Sequence, residues 1–166
     1  MTYIPSKLLS FEEFIALYGD NTRYELIDGE LRDIEPTGLH ETVAGSIAGI
    51  IYVENFCSNF NWLLSETCLI KPLYAEATAL RPYVVLLDKA ELGSKPLWQK
   101  KPGICKDSIN KLIAEVVITN WQDDYARKVE EYAFLKIAKY SIVDFRGLDN
   151  WQFIGSPKRP TFTYPS

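Results

Sequence analysis

Glu115 is the residue of this sequence that most needs a reason. It stands between Ala114 and Val116 in the apolar run from Lys111 to Ile118. A carboxylate in such a run is seldom buried without a partner, and a functional role explains it better than packing does. Lys128 follows on the next periodic segment, with Asp124 one helical turn before it and Glu131 one turn after. An ordinary ion pair accounts for Lys128 equally well. It also lies beside the inner stripe of Tyr125, Val129, Tyr132 and Leu135 or Lys136, so it could reach the edge of a cleft. If such a carboxylate serves a metal, a hard cation such as Mg²⁺ suits it, since that ion takes oxygen ligands in octahedral geometry and lowers the pKa of bound water. Two carboxylates from adjacent strands are the minimum for such a site.

Further candidates are Glu25 and Glu30, which could contribute if the segment carrying them borders the same cleft. His40 opens a helical stretch, where a capping or surface role outweighs catalysis. It is the one histidine of the chain, so a hydrolase triad has no support and a zinc site built with Cys57, Cys68 and Cys105 has little. The cysteines form no CxxC pair and read as buried or partly buried thiols in a reducing compartment. Lys95, Lys100, Lys101 and Lys106 form a basic cluster; Lys100, Lys101 and Lys106 are the candidates for nucleic-acid contact, against a default of solvated loop. Trp62, Trp98, Trp121 and Trp151 read as core or loop anchors rather than a base-stacking platform.

The elements that must position these groups follow from local pattern. Ser10 and Glu13 make a capping box for a short helix with Phe11, Phe14 and Leu17 as its apolar stripe. Asp28-Gly29 between Tyr24–Ile27 and Glu30–Ile34 predicts a hairpin, because both turn residues accept positive φ. Val43, Ile47, Ile50 and Ile51 recur at helical spacing from Leu39 to Phe56, with Ala44, Gly45, Ala48 and Gly49 between them, which suits close packing on a sheet. Asn61–Lys71 and Leu80–Asp88 read as strands, then Lys89–Ser108 as a long loop. Lys111–Ile118 is a buried strand, a helix begins near Thr119 or Asn120, and Ala138–Phe145 is a last clear strand. Phe162 and Tyr164 could start one more, stopped by Pro165 and the terminus.

The chain of 166 residues suits one domain, 1–166, with an irregular stretch over roughly 146–166. A hydrophobic fraction of 47% and 13% aromatic residues supply a real core. Eighteen basic against 22 acidic residues leave a net charge of −4, which argues against a tight nonspecific DNA binder. No secretory signal or bilayer-length apolar run is visible, so a cytoplasmic protein is expected.

Taken together, the runs Tyr24-Glu-Leu-Ile-Asp-Gly-Glu-Leu31, Leu80-Arg-Pro-Tyr-Val-Val-Leu-Leu-Asp88, Ala114-Glu-Val-Val117, Asp124-Tyr-Ala-Arg-Lys-Val-Glu-Glu-Tyr132 and Tyr140-Ser-Ile-Val-Asp144 resemble a restriction-endonuclease-like family abundant in cyanobacteria. That family belongs to the PD-(D/E)XK nuclease superfamily, and the resemblance spans roughly Leu9 to Phe162. It implies an α/β (α+β) fold, a mixed central sheet flanked by helices with an N-terminal helix and a hairpin. It implies a metal-dependent DNA endonuclease using Mg²⁺ or Mn²⁺, with Glu115 as a metal ligand. Lys128 would be the lysine that activates water and steadies phosphate charge, since Val117 stands where a strand lysine usually lies. The family usually has Arg-Pro-Asp where this chain has Arg81-Pro82-Tyr83. An unperturbed phenol, pKa about 10, is neutral at pH 7 and a poor Mg²⁺ ligand. Tyr83 therefore implies an impaired metal site, or an inactive nuclease-fold module that binds nucleic acid or protein. Relatives of this kind continue past the segment matching Gly155–Phe162; a lost edge strand could be covered by a homodimer partner, or the shortening and Tyr83 could together mark a degenerating gene product.

Overall fold

The computed structural model describes residues 7–72, 75–94, 98–99, 103–105, 109–116, 127–135, 137, 139–146 and 161–163, the backbone alone for 103–105 and 161–163. Helix α1, Phe11–Tyr18, begins with the capping box: the Glu13 amide donates to Ser10 Oγ and the Ser10 amide to Glu13. Phe11 and Phe14 are buried, whereas Leu17 is exposed. The apolar face instead turns through Ile15 and Tyr18, which pack with Leu26, Leu69 and Ala79. Strands β1, Tyr24–Ile27, and β2, Glu30–Asp33, form the antiparallel hairpin with Asp28 at φ 50° and Gly29 at φ 82°. A Cβ on Gly29 would stand 3.2 Å from Leu8 Cβ, so conformation and space both ask for glycine.

Helix α2, Gly38–Cys57, contacts the sheet through its small residues. Ala44 and Ala48 are buried, and Ala48 meets Val84 and Ala114, while Ile50 is exposed and Ile47 and Ile51 flank the contact. The close approach predicted from the small residues is found at Ala44 and Ala48 alone: Gly45 and Gly49 are exposed, with open space where a Cβ would stand, and the large apolar residues are not its centre. The predicted strand Asn61–Lys71 is two, β3 Trp62–Ser65 and β4 Leu69–Lys71. Strand β5 covers only Val84–Asp88, while Leu80 bridges to Ile70 and Ala79 to Leu26. Within the predicted loop lie a short helix, α3, Lys89–Leu92, and β6, Gly103–Cys105, which pairs parallel with β4.

Strand β7, Asn110–Val116, is followed by helix α4, Val129–Phe134, and by β8, Tyr140–Asp144. Strand β9, Thr161–Thr163, pairs antiparallel with β8 and contains Phe162, where one more strand could start. The main sheet runs β3-β5-β7-β8-β9, antiparallel except for the β7–β8 pair. A parallel pair needs a crossover, and α4 lies in it. This is the mixed sheet flanked by helices that the resemblance implied.

Alternation along the strands assigns the two faces. Val84 and Ala114 face α2. Val85, Leu87, Ile113 and Ile142 join Tyr132 of α4 and Leu135, just past its end, in the main core. Cys68 is buried and Cys57 exposed, so the thiols are not uniformly covered as expected. Trp62 stacks on Phe60 and Trp98 packs on the main core; Trp121 and Trp151 lie outside the described residues. No helix among the described residues is long and apolar enough to cross a membrane.

Candidate active site

Glu115 shares the strand face of Ile113, two positions away, and so points to the side covered by α4. Two groups from the α4 segment meet it there. The Tyr132 hydroxyl donates to Glu115 Oε1 at 2.8 Å, and Lys128 Nζ lies 3.4 Å from the same oxygen. Arg127 and Lys128 form a wider π-type turn leading into α4, a local irregularity frequent at functional sites. The hairpin closes the cluster from the other side. Glu25 shares the face of Ile27, a member of the main core, and its Oε2 lies 3.2 Å from Lys128 Nζ. All three charged side chains are nearly inaccessible, at 3% for Glu25, 1% for Glu115 and 4% for Lys128.

Lys128 thus belongs to a buried pair of ion pairs rather than the surface pair with Glu131 that its spacing also allowed. Arg127 takes Glu131 instead, at 2.9 Å, and reaches Asp28 in the hairpin turn at 2.8 Å. Burial raises the Glu131 carboxyl above its usual range, opposed by the Arg127 charge. Burial, and then the neighbouring Glu115 charge, hold the Tyr132 phenol well above its usual value, so it stays a hydrogen-bond donor.

Arg81 braces Glu25 from behind. Its amide donates to Glu25 Oε2 at 3.2 Å, and its guanidinium donates to the carbonyls of Tyr24, Thr67 and Gly19. The last of these closes the C-terminal end of α1, where a cation is favoured. Arg81 also lines a cavity of about 420 Å³, with Arg23, Glu35, Glu41, Glu66 and Tyr83 among its walls. Tyr83 is half-buried and packs on the Ala48–Val84–Ala114 cluster. Val84 pairs with Ala114, so one more register step would set Tyr83 opposite Glu115, but β5 begins one residue later.

Other candidates go elsewhere. Glu30 is exposed and pairs with Arg32 at 2.8 Å, a correction to its place among the cleft carboxylates; it stands opposite Ile27 on the face that carries Glu25, but beside the turn and in solvent. His40 is buried rather than on the surface. Its Nδ1 accepts from the Thr37 amide at the start of α2, and its ring meets Phe145 edge-on. Lys95, Lys100, Lys101 and Lys106 lie outside the described residues. Tyr132 and Arg81 were missed as contributors to the site. A tyrosine on an inner helical stripe is a weak signal, since its hydroxyl needs a buried partner; an arginine before Pro82 gives none.

The donor set does not suit a divalent ion. Two carboxylates converge, but the ammonium of Lys128 already stands against both, and position 83 offers a phenol. Among the described residues no three His, Cys, Asp or Glu side chains gather to hold a metal. Octahedral Mg²⁺ asks for oxygen donors around it, not an adjoining cation.

The fold is similar to that of the crystal structure described as "a putative nuclease belonging to DUF820 from Anabaena variabilis ATCC 29413", with a TM-score of 0.57 and 14% sequence identity, covering 82% of this chain and 74% of that one. No curated protein matches the chain. The model of the Uma2 family, described as "Putative restriction endonuclease", matches residues 11–162, which include the hairpin with Glu25, the strand with Glu115 and the segment with Lys128. This chain belongs to the Uma2 family.

Proposed function

We propose that the chain is a nuclease-like protein directed at DNA phosphodiesters in the cytoplasm, and that Mg²⁺- or Mn²⁺-dependent hydrolysis is impaired in it. One observation carries this reading: Lys128 lies between the buried carboxylates Glu25 and Glu115, while position 83, where the family resemblance puts a carboxylate, is tyrosine. In such chemistry a divalent ion polarises the phosphoryl oxygen and lowers the pKa of bound water. The chain's own contribution would be the Lys128 ammonium facing developing phosphate charge, with Glu115 and Tyr132 fixing its position. A homodimer would cover the outer edge of β9.

A second reading is an inactive nuclease-fold module that binds nucleic acid or protein. It is favoured by the pairing of Glu25 and Glu115 with Lys128, and the carboxylates Glu35, Glu41 and Glu66 in the cavity wall, which repel a phosphate backbone, favour protein over nucleic acid as its partner.

Plasmid cleavage with Mg²⁺ or Mn²⁺ tests the first reading in the native chain, in Tyr83→Asp and in Tyr83→Asp combined with Glu115→Ala. Little cleavage by the native chain, a gain of about tenfold or more in Tyr83→Asp, and loss in the combination are expected, since the added carboxylate supplies a hard ligand. Efficient native cleavage that Glu115→Ala abolishes would sink the claim of impairment. No gain from Tyr83→Asp would leave the second reading.

A further inference from the structure

We infer that the Lys128 ammonium is the resident cation of this site: it fills the place between Glu25 and Glu115 that a divalent ion would need, and removing it turns the two carboxylates into a divalent-cation site. The inference rests on the same placement of the site as the proposed function, but it concerns occupancy rather than cleavage.

Geometry and charge carry it. Lys128 Nζ is 3.2 Å from Glu25 Oε2 and 3.4 Å from Glu115 Oε1. Those same two oxygens accept from the Arg81 amide and the Tyr132 hydroxyl. A metal ion coordinated by them would have to displace the ammonium or sit against it inside a buried site, where like charges repel strongly. Two carboxylates and one ammonium leave one net negative charge, which the Arg81 amide and the Tyr132 hydroxyl help to hold. Remove the ammonium, and two buried anions converge on one vacated position, an arrangement that either protonates or recruits a cation. A divalent ion supplies more charge than the lysine did, and carboxylate oxygens are its preferred donors. The neutral phenol at Tyr83 adds nothing that would hold a metal while Lys128 is present.

The test needs no DNA, so its failure is separable from failure of the nuclease reading. Mn²⁺ binding is measured by electron paramagnetic resonance and by thermal stability on the native chain, on Lys128→Met, and on Lys128→Met combined with Glu25→Gln. The native chain is expected to show no saturable Mn²⁺ binding at millimolar concentration and no change in Tm. Lys128→Met is expected to melt lower, to bind Mn²⁺ at least about tenfold more tightly than the native chain, and to recover Tm with the ion present. Adding Glu25→Gln should remove most of that gain. Should Lys128→Met fold only when Mn²⁺ is present, that is the same result in stronger form. Saturable native binding that Glu115→Gln abolishes overturns the inference. So does a Lys128→Met chain that binds no Mn²⁺ when folded, or that stays unfolded at millimolar Mn²⁺.

Discussion

The guanidinium of Arg127 donates to Asp28 at 2.8 Å across 99 residues of chain. Asp28 occupies the first turn position of the hairpin, and Arg127 directly precedes Lys128. The same two elements are joined a second time by Lys128 and Glu25. The two contacts differ in environment: the Asp28 side chain is 65% exposed, whereas Glu25 is 3% exposed. Solvent screening therefore makes the outer pair a weak tether and leaves the inner one to set the geometry.

Asp28→Asn separates these contributions, because asparagine tolerates the positive φ and removes only the charge. It is expected to cost less than about 1 kcal/mol in urea denaturation, as exposed ion pairs do. A loss above about 2 kcal/mol would show that the turn pair behaves as a buried one.

Arg81→Lys tests the brace behind Glu25. Lysine keeps the charge but cannot reach the carbonyls of Tyr24, Thr67 and Gly19 together, as the planar guanidinium does. Losing the buried bond to Gly19 and the part-buried bonds to Tyr24 and Thr67 is expected to cost about 1–3 kcal/mol in the same assay. A cost near zero would mean that water takes over the vacated positions.

The thiols give a readout of burial that depends on pH. Burial pushes the Cys68 thiol up to about 12, so at pH 8 only about one molecule in ten thousand carries the reactive thiolate there. Iodoacetamide labelling followed by peptide mass spectrometry should modify exposed Cys57 readily and Cys68 at least about a hundredfold more slowly in the folded chain. The folded value lies above that of an unfolded thiol, about 8.5. The stability linked to keeping Cys68 neutral is thus whole below that pH and is lost as the pH rises towards 12. Equal labelling of both thiols at pH 8 would contradict the buried placement of Cys68.

Local chemistry was legible wherever it is self-contained. Ser10 with Glu13 announces a helix start, and Asp28-Gly29 a hairpin, because each depends on a few adjacent residues. Glu115 stood out because a carboxylate in an apolar strand needs a partner wherever the strand goes. The Asn61–Lys71 run looked like one strand because local pattern does not say which partners interrupt it: its first half pairs with β5 and its last with β6. Leu17 and Ile50 fit their helical stripes, yet lie exposed, because periodicity marks an apolar face without saying how much of it a neighbour covers.

The sequence by itself determined the helix and turn signals, the apolar strands, the anomalous acid at Glu115 and the tyrosine at position 83. Tertiary structure alone decided that Glu25 rather than Glu30 faces Lys128, that Tyr132 holds Glu115, and that Arg81 holds Glu25. Those choices depend on which face, and which part of that face, one element turns to another far along the chain. A pattern of period 2 or 3.6 gives the faces of an element; only the packed chain gives their partners.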